Sequence, residues 1–390
     1  MEGFALNNIQ NCYVGSTPAT AIYLGSNKIW PTTQHDYSQD YLTFTALEDT
    51  TFTFSDNALQ YSLDNGNTWT TLSANTASPT VTAGNKILWK QTGLTQGTTY
   101  PNYGIGTFSA TGNFDASGNI MSLHYGDNFI NQTDLTGKNY AFNNLFHNNT
   151  KLINAKNIIL PATTLTNGCY SGMFDNCTSL TTTPELPATT LKYNCYDGMF
   201  RYCSSLTTPP ELPATTLIDS CYYAMFSGCT SLTTIPELPA TTLATNCYKA
   251  MFFGCTSLTI ILELPATTLA DNCYQWMFSD CTSLTTAPEL PATTLAEFCY
   301  SYMFEGCTSL TTAPELPAAT LKYKCYEHMF QNCTNLNYIK MLATDISASD
   351  CLSYWVDRVS ATGTFVKNAA MTTLPTGISG VPAGWTVRDT

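Results

Sequence analysis

Cysteine is the most chemically versatile residue type in this chain, because thiolates form disulfides and bind metals. The sequence has 16 cysteines, and all except Cys12 fall in two series with a step of 26 residues. The first series is Cys169, Cys195, Cys221, Cys247, Cys273, Cys299, Cys325 and Cys351, and the second is Cys177, Cys203, Cys229, Cys255, Cys281, Cys307 and Cys333.

Stacked coils would place equivalent cysteines about 5 Å apart, which is close enough for a disulfide. Each thiol would then have two equal neighbours, so no unique pairing is specified. The C-x7-C spacing is also a poor match to the C-x-x-C pairs of zinc sites. We therefore predict that the cysteines are small buried side chains and that they hold no metal.

Glutamate forms a third series with the same step. Its members are Glu185, Glu211, Glu237, Glu263, Glu289 and Glu315. Carboxylates in register on neighbouring strands repel one another, so we expect them at an exposed coil corner where water screens them. The alternative is a ladder of Ca2+ ions between them, because hard cations bind carboxylate oxygens.

Catalytic motifs are missing from the sequence. The histidines His35, His124, His147 and His328 fall in different segments, and no Gly-x-Ser-x-Gly, His-Glu-x-x-His or phosphate-binding glycine loop occurs. We expect no enzyme activity, no catalytic residues and, apart from the hypothetical Ca2+, no cofactor.

Composition excludes further classes of function. The chain has 28 acidic and 15 basic residues, a net charge of -13, which disfavours binding to nucleic-acid phosphates. No run of 18 apolar residues occurs, so we expect no membrane insertion. The N-terminus has no basic segment followed by an apolar one, so we expect synthesis and folding in a reducing cytoplasm.

A 26-residue period is typical of a solenoid, in which each coil buries its apolar face against its neighbours. Cys195, Met199 and Cys203 recur at i, i+4 and i+8, which predicts a helix of about two turns. Leu206-Thr207-Thr208 predicts a short strand. The predicted fold is therefore an α+β solenoid with one short helix and one short strand per coil, the arrangement of leucine-rich repeats.

The remaining segments have other patterns. Two similar pieces, Tyr13 to Thr17 and Tyr23 to Asn27, each contain a Gly-Ser turn signal and predict β-hairpins. Alternating apolar residues between Tyr41 and Trp89 predict a small β-sandwich. Ser62 to Trp69 matches the Asp-box S-x-D-x-G-x-T-W, which we interpret as a structural hairpin turn.

These patterns divide the chain into five parts. They are a hairpin attachment segment at 1–33, the β-sandwich at 34–103, a junction and N-terminal cap at 104–140, the leucine-rich-repeat solenoid at 141–342 and a C-terminal cap at 343–390.

The coil Cys-Tyr-x-x-Met-Phe-x-x-Cys-Thr-Ser-Leu-Thr-x-x-Pro resembles the BspA-like class of leucine-rich repeats, which occur on surface proteins of gut bacteria and in genes of their phages. The segments Tyr13 to Pro31 and Leu42 to Trp89 look like N-terminal parts of tail-associated virion proteins from phages of gut Bacteroidales. This resemblance implies a virion protein in a fibre, the tail or the head decoration. Secreted BspA-like adhesins begin with signal sequences, and this chain departs from them there.

Variation between coils predicts a binding surface. The pairs of residues after Cys-Tyr and after Met-Phe differ from coil to coil, whereas the framework hardly changes. Aromatic side chains in or beside these slots are typical of recognition surfaces. The candidate residues are Tyr193, Tyr202, Tyr222, Tyr223, Phe253, Gln275, Trp276, Phe298, Tyr302, Tyr323 and His328.

The sequence-based hypothesis is a non-enzymatic phage virion protein. Residues 1–33 would bind other virion proteins, and the solenoid would bind a host surface protein or glycan or another particle. The chain would be made in the host cytoplasm and located on the virion, with a homo-oligomer compatible with this function. The alternative is a BspA-like adhesin at the bacterial cell surface or a carbohydrate-binding accessory module.

Overall fold

The computed structural model describes residues 36 to 91, 104 to 259 and 261 to 390, together with the backbone of four short strands between residues 13 and 30. These strands form two antiparallel hairpins, as the sequence predicts. Strand β1 (Tyr13–Val14) pairs with β2 (Thr17–Pro18), and β3 (Ile22–Leu24) pairs with β4 (Asn27–Trp30). The predicted attachment role of residues 1–33 concerns side chains outside the described residues.

Two sheets follow, and they enclose an aromatic core. The larger has the order β12 (Leu152–Ile159), β11 (Phe114–Asn119), β5 (Leu42–Ala46), β9 (Lys86–Gln91), β7 (Leu59–Ser62) and β8 (Thr70–Leu72), and the smaller pairs β6 (Phe52–Phe54) with β10 (Phe108–Ala110). Phe44 lies between them and contacts the rings of Phe52, Phe108 and Phe114 at 4.8 to 5.2 Å. The helical elements of this part are a 3-10 turn Tyr37–Gln39, α1 Ser122–Tyr125 and a 3-10 turn Gly126–Asn128.

The larger sheet runs into the repeat region. Strand β11 lies in the predicted junction and pairs antiparallel with β5 and parallel with β12, which belongs to the first coil. The aromatic core therefore continues into the solenoid, where Phe146 contacts both Phe44 and Phe108 at 5.8 Å. The boundaries at 103 and 140 stay predictions, since strands on both sides of them share this sheet.

The structure corrects the prediction of a helix in each coil, because it has consecutive turns there instead. Asn194, Gly198 and Tyr202 have φ of 54°, 57° and 57°, so every fourth residue is left-handed. Such a turn ribbon, which spans residues 192 to 203 in this coil, repeats apolar side chains at i and i+4 as a helix does. The i, i+4 spacing that predicted a helix therefore fits a helix and a turn ribbon equally well.

Hydrogen bonding separates the ribbon from a helix. The N–H groups of Asp197 and Met199 donate to carbonyls three residues earlier, within the coil. The N–H groups of Tyr196, Gly198 and Phe200 instead donate to the next coil, as in Tyr196 N–H to the Cys221 carbonyl at 3.0 Å. Half of the ribbon's donors thus depend on a neighbouring coil, and a single coil could not satisfy them alone.

The predicted strand in each coil is also corrected in part. Leu206-Thr207-Thr208 is not a strand, and the middle coils have only isolated bridges such as Thr164 to Thr190 and Thr242 to Thr268. Proline lacks an N–H group and interrupts a ladder, and the coil segments Pro-Glu-Leu-Pro carry two prolines each. A regular parallel sheet forms towards the C-terminus, in the order β13 Thr312–Leu316, β14 Tyr338–Met341, β15 Thr364–Lys367 and β16 Thr386–Asp389. Strand β13 contains Pro314 and lies at the edge of this sheet, where proline is tolerated, and the other three strands contain no proline.

Two columns of stacked rings fill the solenoid. Successive framework phenylalanines lie 5.3 to 5.8 Å apart and nearly parallel, from Phe146 to Phe330. A tyrosine column runs beside them from Tyr170 to Tyr326 at 5.7 to 6.0 Å. Trp355 contacts the last ring of both columns, at 6.5 Å from Tyr326 and 6.2 Å from Phe330.

The cysteines are buried and free at all 15 described positions, as predicted. In the second series each thiol also donates to the carbonyl of a phenylalanine in the preceding coil. Examples are Cys203 Sγ to Phe174 O at 3.1 Å and Cys229 Sγ to Phe200 O at 3.0 Å. These thiols therefore link successive coils as well as filling the core.

Candidate functional site

The variable slots divide into a buried and an exposed set. The first residue after Cys-Tyr is enclosed in several coils: Gln275 is 6% exposed, Ser301 is 0% exposed and Glu327 is 8% exposed. The prediction that Gln275 lies on the exposed face is therefore wrong. Tyr222 is likewise only 2% exposed, because it belongs to the buried tyrosine column.

The second residue after Cys-Tyr forms an outer column in the last coils of the array. Trp276 and Tyr302 have ring centroids 5.3 Å apart, Tyr302 and His328 lie 4.4 Å apart, and His328 and Tyr354 lie 5.2 Å apart. The last two pairs are stacked, with interplanar angles of 9° and 8°. We call these four residues the aromatic column.

Tyr354 is the member that the sequence-based prediction missed. It stands 26 residues after His328 and occupies the same slot in the next coil, so the 26-residue period could have identified it as a member. Tyr354 lies in the predicted C-terminal cap, residues 343–390. Trp355 does close the core, while Tyr354 is 47% exposed and extends the column.

Carboxylates and amides surround the aromatic column. His328 Nδ1 lies 2.7 Å from Gln331 Oε1, and Gln331 Nε2 donates to Asp357 Oδ2 at 3.1 Å. Glu327 pairs with Lys324 at 2.9 Å. Glu305 is half-buried, and its burial and the nearby Asp280 raise the pKa of its carboxyl group.

The pKa of the Tyr302 hydroxyl depends on its burial and on the charged groups near it. Burial raises the pKa of the Tyr302 hydroxyl, and the charges of Glu327 and Glu305 raise it further. At the N-terminal end of the column, Lys249 Nζ lies 5.1 Å from the Trp276 ring centroid, a cation–π distance. The column thus has acidic groups, such as Glu305, and basic groups, such as Lys249 and Lys324, beside its rings.

The other predicted surface residues form smaller groups. Phe298 and Tyr323 make an edge contact at 5.2 Å, and Lys324 lies within 6 Å of both rings. Tyr202 is 51% exposed and contacts Arg201, which pairs with Asp175 at 2.6 Å.

The remaining predicted residues lie on earlier coils. Tyr193 is 47% exposed, whereas Tyr223 and Phe253 are half-buried. Tyr223 lies 6.0 Å from Lys249 Nζ, the lysine that also approaches Trp276. The predicted surface residues therefore form several separate clusters of side chains, and the aromatic column is the longest continuous cluster.

The glutamate series lies on a different face, along grooves between the Pro-Glu-Leu-Pro segments. A groove of about 720 Å³ lies beside Glu185 and Glu211, and the next, of about 410 Å³, lies beside Glu211 and Glu237. Glu263 and Glu289 are exposed as well. Glu315 is half-buried and binds Lys340 Nζ at 2.7 Å.

A cation ladder gains no support from this arrangement. Across the described ranges, no group of three or more His, Cys, Asp or Glu side chains is placed to hold a metal ion. The described part of the chain also contains no helix with the length and apolar character needed to cross a bilayer.

Burial keeps one histidine and the framework thiols in their neutral forms. Burial lowers the pKa of His124 to about 4 and raises the pKa of Cys255 and Cys273 to about 12. A neutral imidazole and protonated thiols would not act as an acid or as nucleophiles near neutral pH.

The Asp-box is a structural turn, as the sequence suggested. Asp64 Oδ1 accepts from the Thr68 N–H at 2.9 Å, and Trp69 Nε1 donates to the Gly66 carbonyl at 3.1 Å. Hydrogen bonds from the backbone and hydroxyl of Thr68 hold the pKa of Asp64 at about 2. The Asp64 carboxylate and the Trp69 indole of the motif are thus hydrogen-bonded within the hairpin itself.

Comparison with known families identifies the repeat. The BspA type leucine rich repeat region matches six copies over residues 130–259 and 274–351, just over half of the chain. Searches of curated proteins and of solved structures give no match. The coil framework, the stacked core and this match agree, and the chain belongs to the BspA-type leucine-rich repeat family.

Proposed function

We propose that this protein is a non-enzymatic recognition protein whose solenoid binds a ligand through the exposed face of its C-terminal coils. The observation that carries the proposal is the aromatic column, which is added to a framework that is otherwise repeated almost unchanged. Its rings are half-buried or exposed, whereas the framework rings are enclosed. Exposed aromatic side chains provide large, rigid contact areas in recognition surfaces.

We further propose that the protein is part of a phage virion, with residues 1–33 attached to the particle and the solenoid facing the host cell. The two hairpin pairings and the resemblance of this segment to tail-associated proteins support this placement. Two short hairpins are too small to be stable alone, so a partner surface is expected to hold them.

A bacterial cell-surface adhesin is the second candidate. It is favoured by the family itself, because BspA-type repeats suggest surface recognition. Both candidates use the same solenoid face and differ in the structure that carries it.

Mass spectrometry can separate the two locations. Purified phage particles and an outer-membrane fraction of uninfected host would be searched for peptides of this chain. Stoichiometric copies in the particles are the expected result. Peptides found only in host membranes would instead establish the adhesin and overturn the virion placement.

A deletion variant tests the attachment segment. Removing residues 1–33 is expected to leave the melting temperature of the core unchanged, because the described core begins after this segment, and to abolish incorporation into particles. The variant's melting curve is the control for folding, and continued incorporation would contradict the attachment role.

A further inference from the structure

The aromatic column is built on unfavourable backbone geometry. Trp276, Tyr302, His328 and Tyr354 have φ of 58°, 59°, 55° and 51°. The left-handed region crowds the side chain of any residue with a Cβ atom, and glycine avoids this crowding. Each member of the column therefore costs folding free energy.

The fold itself does not require these rings. The same slot in four earlier coils holds Gly172, Gly198, Ala224 and Ala250, all with positive φ. Those coils keep the same buried columns and the same hydrogen bonds to the next coil. Because small residues serve the ribbon there, the four strained rings indicate a role other than stabilising the coil.

The stacking of the rings limits what they can bind. Tyr302, His328 and Tyr354 cover one another's faces at 4.4 and 5.2 Å, so their edges are the parts left for a ligand. A sugar packs its C–H groups against the flat face of a ring, and the stacked faces inside the column are occupied. This geometry disfavours a glycan along the column and favours a protein surface.

The charge beside the column indicates the character of that surface. Glu327 is paired with Lys324 at 2.9 Å, and Asp357 lies 3.9 Å from Arg358 Nε. Glu305 and the neighbouring Asp280 form no ion pair among the described residues, so they are the acids left for a partner. Guanidinium and ammonium groups pair with carboxylates and also interact with aromatic rings. Lys249 beside Trp276, and Lys324 beside Phe298, are examples within this molecule.

We propose that the aromatic column, with Asp280 and Glu305 beside it, is a docking surface for a protein partner that presents arginine and lysine side chains. This inference rests on the proposed recognition function and names the partner chemistry of its site. The partner's basic groups meet the carboxylates, while its apolar stems pack on the ring edges.

The test uses the full chain and a random 12-residue peptide library displayed on yeast, with a glycan microarray in parallel. We expect the selected peptides to be enriched in arginine and lysine. Their Kd is expected to rise at least tenfold for the double variant Tyr302→Gly/His328→Gly. This variant removes two rings and leaves every carboxylate in place, so a lost affinity reports the rings.

Three further variants serve as controls. Ala250→Gly changes the same slot outside the column and should leave the Kd unchanged. Asp280→Asn/Glu305→Gln should raise the Kd and weaken its dependence on salt. If the glycine variant fails to fold, Tyr302→Asn/His328→Asn replaces it, because asparagine occupies left-handed positions at Asn176 and Asn332.

The outcomes separate this inference from the proposed function. Selected peptides without basic residues, an unchanged Kd for the folded double variant, or a glycan signal lost with the rings would overturn the basic-protein site. Host-cell binding by the intact chain, measured by flow cytometry, tests recognition itself. Equal cell binding by wild type and double variant would show that the column is not the binding surface, and the recognition function would still stand. If the intact chain binds no cells, both the docking surface and the recognition function are rejected.

Discussion

At the scale of single residues, the molecule depends on a backbone state that most amino acids avoid. Every fourth residue of the turn ribbon is left-handed, and glycine or asparagine fills many of these positions, such as Gly172, Asn194 and Asn246. Both residues adopt this conformation at lower cost than others. The exceptions with large side chains are concentrated in the later coils, where the aromatic column lies.

A reciprocal pair of substitutions measures this backbone cost. Gly198→Ala is expected to lower the free energy of unfolding by about 1 kcal/mol, since an added Cβ would have only ordinary contacts, the nearest at 3.7 Å from Arg201 Nε. Ala250→Gly is expected to raise it by up to about 1 kcal/mol. Guanidinium denaturation checks both, and a loss of stability in Ala250→Gly would contradict the strain argument.

At the scale of the element, the turn ribbon is stable only as part of a stack. Its alternate N–H groups and the thiols of the second cysteine series donate to neighbouring coils. A thiol is small and largely apolar, yet it can still donate a weak hydrogen bond. This combination explains why cysteine fits a slot that is enclosed by rings and faces a carbonyl oxygen.

Alkaline pH should therefore destabilise the stack. Burial raises the pKa of Cys221 and Cys255 from 9.0 to about 12. It also raises the pKa of tyrosines in the buried tyrosine column of the core, such as Tyr248, well above their usual value. Between pH 9 and 12 the folded chain holds protons that the unfolded chain has lost. The free energy of unfolding should then fall as pH rises, by about 1.4 kcal/mol per pH unit for each thiol.

Guanidinium denaturation under reducing conditions, from pH 7 to 10.5, measures this dependence. Stability should be nearly constant with respect to thiol ionisation below pH 8.5 and fall steeply above pH 9. The matched control is Cys221→Ala/Cys255→Ala, which is less stable throughout but should show a shallower alkaline slope. Equal slopes for both proteins would mean that these thiols ionise freely in the folded state.

At the scale of the whole molecule, one aromatic core runs from the N-terminal sheets to the end of the array. Phe44 and Phe108 connect the first sheets to the phenylalanine column, and Trp355 closes the column at the other end. Between these ends each coil contacts only its neighbours, so the length of the stack is set by the number of coils. The proposed recognition face lies beside the C-terminal end of this core.

Removing one complete coil should therefore leave a folded protein. Deleting residues 222–247 joins Cys221 to Tyr248 and keeps the order of the framework, so the ring columns and inter-coil hydrogen bonds can re-form. We expect a cooperative unfolding transition with a melting temperature lowered by less than about 10 °C. Circular dichroism and size-exclusion chromatography check this expectation.

The matched control removes half a period. Deleting residues 222–234 places unlike segments against each other and should give an unfolded or aggregated chain. Equal behaviour of the two deletions would show that the 26-residue register does not control assembly.

The sequence alone determined the coil period, the buried framework and the structural nature of the Asp-box. These features depend on the identity and spacing of residues within one coil, as with Met199 and Cys203, which are both fully buried. It also identified three of the four members of the aromatic column, because Trp276, Tyr302 and His328 stand in one variable slot. Glycine or asparagine at many of the fourth positions was a further signal, and it could have distinguished the turn ribbon from a helix.

Only the tertiary structure decided the conformation of the ribbon and the burial of the variable slots. An i, i+4 pattern fits a helix and a period-four ribbon equally well, and the choice depends on whether Tyr196 and Phe200 donate within the coil or to the next one. Gln275 is buried by the neighbouring coils of the stack, which the spacing within one coil does not specify. Likewise, the stacking of Tyr302, His328 and Tyr354 exists only because three coils lie in register, since residues 26 apart become neighbours only when the chain is folded.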